Sequence, residues 1–234
     1  MEVKFVLDFD GVLFNSAFEA YTVANLSVKG RDEFRQDIAY SEFLAFRGLV
    51  TDAWQYNRLY AVGQAIPASA LQQIVPNEQD WAFARDFFAA RSEIMKDAEW
   101  PKTMPPYDFF FLLKPLLLEH PERFAILSTR NVASLREALA FNGVEVIEIF
   151  GQEDIRSHGS KLAVAQSQNW LEPGKFLIVY VDDMNSHLEP FDGQIHLPLH
   201  ADWGYDQETP GSMTSNQIFT IITSLLSFAH KDQP

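Results

Sequence analysis

The 234-residue sequence contains no cysteine, which excludes disulfides, thiolate metal sites and a cysteine nucleophile and removes any argument for an oxidising compartment. Basic residues are scarce: 18 Lys and Arg stand against 32 Asp and Glu, a formal charge of −14, and no cluster of cations forms the stripe that a phosphate backbone requires. A nucleic-acid partner is therefore not expected. Long apolar runs are also missing. Phe109 to Leu118 is interrupted by Lys114 and Pro115, and Ile218 to Ala229 carries Thr and Ser, so neither reaches the roughly 20 apolar residues of a membrane span. The N-terminus enters strand-like sequence at once, without a basic region, apolar segment and small-residue cleavage site. Repeats and low-complexity tracts are absent. The expectation is a soluble, cytoplasmic protein with no membrane partner; its oligomeric state does not follow from these features.

What is present is 47% hydrophobic content, enough for one α/β core and a smaller module beside it. Val3 to Leu7, Phe124 to Leu127 and Phe176 to Val181 are short, continuously apolar segments that each end in a polar cluster, the pattern of strands buried on both faces of a parallel sheet. Between the last two lie a helical segment from Asn131 to Asn142, stopped by Gly143, and another from Ser160 to Trp170 that opens on a capping serine. Strand and helix in alternation describe a doubly wound α/β fold with a parallel sheet. Residues 17–100 differ, being rich in helix formers and aromatics at helical spacing. Asn77 and Asp80 mark a helix start, and Trp81, Phe83, Phe87 and Phe88 run on toward Pro101. Such a stripe is expected to be packing more than binding surface. The domain expectation is a core of residues 1–16 and 101–234 with a mainly helical insertion over 17–100.

The chemistry-bearing residues stand at the ends of these elements. Asp8 and Asp10 follow the first strand and precede Gly11; an Asp-Gly hairpin turn is the structural alternative, but Asp8 interrupts an apolar run for no structural benefit. Ser128, Thr129 and Arg130 follow the second strand, where capping the next helix is an equally natural role for a hydroxyl. Lys161 stands in the first turn of a helix, at odds with the helix dipole unless an anion lies nearby. Asp182 and Asp183 end the strand that starts at Phe176, and paired like charges there call for a cation.

With Asp8-Phe9-Asp10-Gly11-Val12 first, the hydroxyls of 128–129 second, Lys161 third and Asp182-Asp183 fourth, the sequence resembles the haloacid dehalogenase-like hydrolases of phosphatase type. The resemblance covers residues 1–16 and about 102–197, and no match extends to the insertion. It implies a Rossmann-like core with a helical cap inserted after the first motif, and a Mg²⁺-dependent phosphatase acting on a small phosphorylated metabolite. Asp8 would be the nucleophile, Asp10 the acid/base, and Ser128 or Thr129, Arg130 and Lys161 the contacts to the phosphoryl group; alignment with a hydroxyl-small-Arg pattern favours Ser128. Asp8, Asp10 and Asp183 would hold Mg²⁺ through oxygen, with Asp182 behind them or itself a ligand. The chain departs from the family pattern where His187, near Glu189, occupies the position of a further Asp.

Among rival activities, a dehalogenase would also use an Asp nucleophile but has no need of Asp10. A phosphomutase or phosphotransferase would use the same four motifs. A non-catalytic phospho-ligand binding protein is opposed by the intact Asp8, Asp10, Lys161 and Asp183. Arg47 is a candidate for reaching an anionic substrate. His196 and His200 are four apart but separated by Pro198, which breaks any helix presenting both, so a loop is expected there, with Trp203 and Tyr205 in the same loop.

Overall fold

The computed structural model describes residues 2–63, 68–145, 148–205 and 210–231. Met1 and residues 232–234, at the ends of the expected core, lie outside these. The chain divides into two compact units, one of residues 1–15 and 105–234 and one of residues 16–104.

The first unit is built on a five-stranded, wholly parallel sheet in the order β3-β2-β1-β4-β5. Strand β1 (Glu2–Leu7) lies at its centre. Residues 16–104 then intervene, carrying α1 (Ala17–Val28), α2 (Tyr40–Arg47), α3 (Asn57–Tyr60) and α4 (Glu78–Ile94). The core resumes with α5 (Asp108–Glu119), β2 (Phe124–Leu127), α6 (Val132–Phe141), β3 (Glu148–Phe150), α7 (Gln152–His158), α8 (Lys161–Ser167), β4 (Phe176–Asp182), α9 (Asn185–Leu188), β5 (Leu197–His200) and α10 (Ser215–Lys231).

Continuous burial explains the three apolar runs: Phe5 to Leu7, Phe124 to Leu127 and Ile178 to Asp182 are all buried, as expected where helices cover both faces of a parallel sheet. Cα partners Leu7↔Ile126 and Leu7↔Val181 bring the C-terminal ends of β1, β2 and β4 level with one another. Because the chain passes from β1 to β2 on one side and reaches β4 on the other, a topological switch point lies between β1 and β4, where doubly wound sheets open a crevice for ligands. Asn131 caps α6, its side-chain oxygen accepting from Ser134 N at 2.8 Å, and Ser160 caps α8 by accepting from Ala163 N at 3.1 Å.

One expectation is corrected. His200 closes strand β5 and His196 immediately precedes it, rather than both lying in a loop. Pro198 rules out a helix but not this strand, because β5 pairs only with β4 and a sheet edge tolerates a residue without an N–H.

Exit from and return to the core occur side by side. Asn15 N donates to Pro105 O and Tyr107 N to Leu13 O, both at 2.9 Å, beside a bridge between Phe14 and Pro106.

The second unit has its own core, centred on Phe43, Tyr56, Tyr60, Phe83 and Phe87. Ring centroids of Phe43 and Tyr56 lie 4.9 Å apart and those of Tyr56 and Phe87 5.5 Å, both stacked. Phe83 and Phe87 are thus packing, whereas Trp81 on the same helix is exposed. Asn77 and Asp80 form a reciprocal cap at the start of α4, with Asp80 also bound by Asn57 and Arg58. Glu19 on α1 is fully buried and held by a fork from Arg91 on α4 at 2.7 and 2.9 Å. Among the described residues no helix is long and apolar enough to cross a membrane.

Candidate active site

Asp8 is the first residue beyond β1, and its N–H donates to Val181 O at 2.9 Å, tying it to the end of β4. Its side chain is almost completely buried, and burial pushes its carboxyl up to about 6, an effect that Lys161 opposes and Asp182 reinforces. After it the chain makes a tight turn instead of a hairpin: Gly11 N donates to Phe14 O at 2.9 Å, and Leu13 N and Phe14 N both donate to Phe9 O. Gly11 sits at φ +88°, where a side chain is strained, and a Cβ there would also overlap the carboxylate of Asp183.

Strand β2 delivers a second group. Ser128 is fully buried and Thr129 exposed. Arg130, 4% exposed, turns its guanidinium onto Asp10, with Nη2 2.8 Å and Nε 3.0 Å from Oδ1 and Nε 3.2 Å from Oδ2.

Lys161, at the first turn of α8, reaches into the space between β1 and β4. Its ammonium lies 2.7 Å from Asp182 Oδ2, 3.1 Å from Asp8 Oδ1, 3.1 Å from the Tyr180 hydroxyl and 3.2 Å from His187 Nδ1. These anions resolve its conflict with the helix dipole. Burial alone would push the lysine down, but Asp182 and Asp8 outweigh it and hold it at about 12. Burial would likewise raise Asp182, yet Lys161 and His187 keep its carboxyl far below the usual range. Tyr180, two residues before Asp182 and on the same face of β4, donates to it, and burial together with Asp182 keeps the phenol well above its ordinary value.

Asp183 occupies a different niche. It is fully buried, Tyr205 N donates to its Oδ2 at 2.6 Å, and Gly11 and Gly204 flank it so closely that a Cβ on either would overlap its side chain. Trp203, in the same loop, donates from Nε1 to Val12 O at 3.0 Å and packs on Phe109.

Asp8, Asp10, Ser128, Arg130, Lys161, Asp182 and Asp183 all lie at the C-terminal ends of β1, β2 and β4 or at the facing start of α8. Arg47, in the other unit, donates to Val50 O within its own segment at 3.2 Å. The parts not singled out from sequence are Tyr180 and Gly204; Tyr205, expected in a loop that could edge the site or pack at the surface, meets Asp183 through its N–H. His187 was noted only as a departure, and its ring contacts both Asp182 and Lys161.

Asp8, Asp182 and His187 each offer a ligand atom within 4.8 Å of the others, the spacing of a metal site. The Lys161 ammonium, however, lies within 3.2 Å of one of these ligand groups after another, so the cation in the middle of this trio is the lysine itself. A divalent ion held without displacing the lysine would have to draw on Asp183. Asp183 offers carboxylate oxygen, the choice of a hard cation, whereas Asp8 Oδ1 is the atom that faces the Lys161 ammonium at 3.1 Å. Four acidic side chains, Asp8, Asp10, Asp182 and Asp183, stand with the fixed cations Arg130 and Lys161 and the His187 ring, a donor set to which a hard divalent cation is suited.

No protein-family model matches the sequence, and no curated protein matches it. Solved structures do. A predicted phosphoglycolate phosphatase from Haemophilus somnus is 16% identical, with 94% of this chain and 98% of that one covered at a TM-score of 0.67. A haloacid dehalogenase-like family hydrolase from Streptococcus pneumoniae is 12% identical, with coverage of 94% and 98% and a TM-score of 0.63. CbbY from Rhodobacter sphaeroides, in complex with xylulose 1,5-bisphosphate, is 12% identical, with coverage of 92% and 93% and a TM-score of 0.60. Identity this low speaks to architecture, and the coverage extends it over both units: the chain has the fold of the haloacid dehalogenase-like hydrolases.

Proposed function

We propose that this protein is a Mg²⁺-dependent phosphoric monoester hydrolase that acts on a small phosphorylated metabolite through an aspartyl-phosphate intermediate. The observation that carries this reading is the pairing of buried Asp8 with Lys161 at the switch point of the sheet, with Asp10, Asp182 and Asp183 around it. A carboxylate there is costly unless it serves chemistry, and a buried ammonium beside it supplies the positive charge that an incoming phosphoryl group needs.

In this mechanism Asp8 attacks phosphorus while Asp10 gives a proton to the departing oxygen. Asp10 then takes a proton from water as that water attacks the phosphoryl-aspartate. Lys161 and Ser128 hold phosphoryl oxygens; Ser128 is preferred over Thr129 because it is the hydroxyl buried at the end of β2. Asp8, the backbone carbonyl of Asp10 and Asp183 would hold Mg²⁺, which when bound offsets the charge of phosphate and carboxylates. Asp182 stands behind them, fixing Lys161. Residues 16–104 would act as the cap that selects substrate and excludes water. The sugar bisphosphate bound by the Rhodobacter protein and the phosphoglycolate phosphatase description of the Haemophilus protein favour a small phosphorylated substrate.

The test is turnover of an aryl phosphate and a panel of metabolite phosphates with Mg²⁺, with chelator, and in Asp8→Asn. Metal-dependent hydrolysis abolished in the variant is expected. A wild-type protein inert across the panel refutes hydrolysis and favours a selective mutase or a binding role.

A further inference from the structure

Asp10 lies beyond the end of β1, bridged to Phe14, and the guanidinium of Arg130 meets its carboxylate from the end of β2. We propose that Arg130 is a positioning residue for Asp10, holding its carboxylate where it can take the proton of the attacking water; this rests on the phosphatase reading above.

Arg130 is itself held on three sides. Nε and Nη2 grip Asp10 at 2.8 to 3.2 Å. Nη1 donates to Ser134 Oγ at 3.2 Å, and Ser134 is fixed because its N–H is capped by Asn131 at the start of α6. The guanidinium carbon lies 5.8 Å from the ring of Phe9, which is fully buried and stacked on Phe14 at 4.5 Å. With the arginine side chain only 2% exposed, this is a fixed mount and not a mobile surface cation. A planar fork restrains both the rotation and the tilt of a carboxylate, which the point charge of a lysine would not do. The sequence-based expectation placed Arg130 on the substrate phosphate, whereas the fork side of its guanidinium is committed to Asp10.

The step at stake is the second half-reaction. Water oxygen bonds to phosphorus, its proton passes to the Asp10 carboxylate, and the bond between phosphorus and the Asp8 oxygen breaks. The products are inorganic phosphate and a free Asp8 carboxylate. p-Nitrophenyl phosphate isolates this half, because its leaving group departs without a proton.

The experiment is rapid-mixing kinetics of the full-length protein with p-nitrophenyl phosphate and Mg²⁺, comparing wild type, Arg130→Gln and Ser134→Ala. In Arg130→Gln, kcat is expected to fall by about 10²-fold, the range of a general base put out of position. A rapid burst of roughly one p-nitrophenolate per protein should precede the slow steady state, because Asp8 is still phosphorylated but breakdown lags. Ser134→Ala, which loosens the mount without removing the fork, should show the same burst with a loss of only several-fold, and it carries the test if Arg130→Gln does not fold. Loss of the burst, a raised KM at unchanged kcat, or wild-type kinetics in both variants overturns the proposal, the first two pointing to a phosphate ligand. A wild-type protein that neither turns over nor accumulates phosphoryl-enzyme removes the phosphatase reading as well.

Discussion

Replacing Lys161 by Met keeps an unbranched apolar stem as far as Cε and removes the ammonium. Asp182 Oδ2 then loses a donor at 2.7 Å and Asp8 Oδ1 a cation at 3.1 Å, with both carboxylates still buried. Breaking a buried pair by deleting one partner costs about 3–5 kcal/mol, and in a protein of this size each kcal/mol lowers Tm by about 2–4 °C, so a fall of roughly 6–20 °C is expected in the transition of the core unit. The pH dependence gives the loss a signature. Asp182 is depressed below its ordinary 3.8 in the folded protein, so its contribution is present above that value and lost as pH falls. Lys161 is raised from 10.5 to about 12, so its contribution is present below 10.5 and lost as pH rises through about 12. Without the ammonium only His187 still opposes burial, so the pKa of Asp182 rises relative to the wild type and the variant takes up a proton at higher pH. The gap between variant and wild type should therefore be widest near neutrality and narrow toward about pH 4.5. Thermal unfolding of both proteins at about pH 4.5 and about pH 8, in chelator so that no metal replaces the ammonium, measures this. A loss under about 1 kcal/mol, or one independent of pH, would refute the claim that Lys161 is the cation balancing these acids.

Three further outcomes are expected. Gly204→Ala places a Cβ into the side chain of Asp183 and should lower kcat by about 10²-fold through a displacement on the order of 1 Å, with the stability loss of about 1–3 kcal/mol that overpacking brings; unchanged steady-state kinetics would count against the cradle. Arg91→Met leaves Glu19 buried without its fork and should destabilise residues 16–104 by about 3–5 kcal/mol, while Glu19→Leu combined with Arg91→Leu restores much of that; hydrogen exchange localised to this unit reads the difference. In the metal-free protein Asp8 is raised to about 6, so the folded state holds the extra proton and stability falls as pH rises from 3.8 through about 6. Mg²⁺ held through Asp8 as proposed would have to displace that proton at lower pH, so calorimetric affinity should drop by about tenfold per pH unit below about 6, a dependence that Asp8→Asn abolishes.

Strands β1, β2 and β4 were legible because burial on both faces leaves an uninterrupted apolar run. Strand β3 was not, since Glu148–Phe150 has three residues and opens on a charge, and β5 was hidden by Pro198, which reads as a breaker until the strand is known to be an edge. Helix starts at Asn77, Asn131 and Ser160 were visible because capping is local. The site residues were nominated from chain order and residue type, but their pairing is spatial. Nothing in Ser128-Thr129-Arg130 says that the arginine turns toward Asp10 across 120 residues. Tyr180 was concealed inside an apolar run, although its place two residues before Asp182 puts it on the same face of the strand. Gly204 carries no sequence signal at all, because what it provides is the absence of a Cβ beside Asp183.

The hydrogen bonds of Asn15 with Pro105 and of Leu13 with Tyr107 make the junction a closed doorway: the chain steps out to form residues 16–104 and steps back in beside its own exit. The frame that carries the carboxylates is thus completed without the intervening segment, which has its own aromatic core and buried ion pair. A segment that leaves and re-enters at one closed seam is an exchangeable cassette: a different one could be grafted at the same doorway while the groups at the C-terminal ends of β1, β2 and β4 stay as they are.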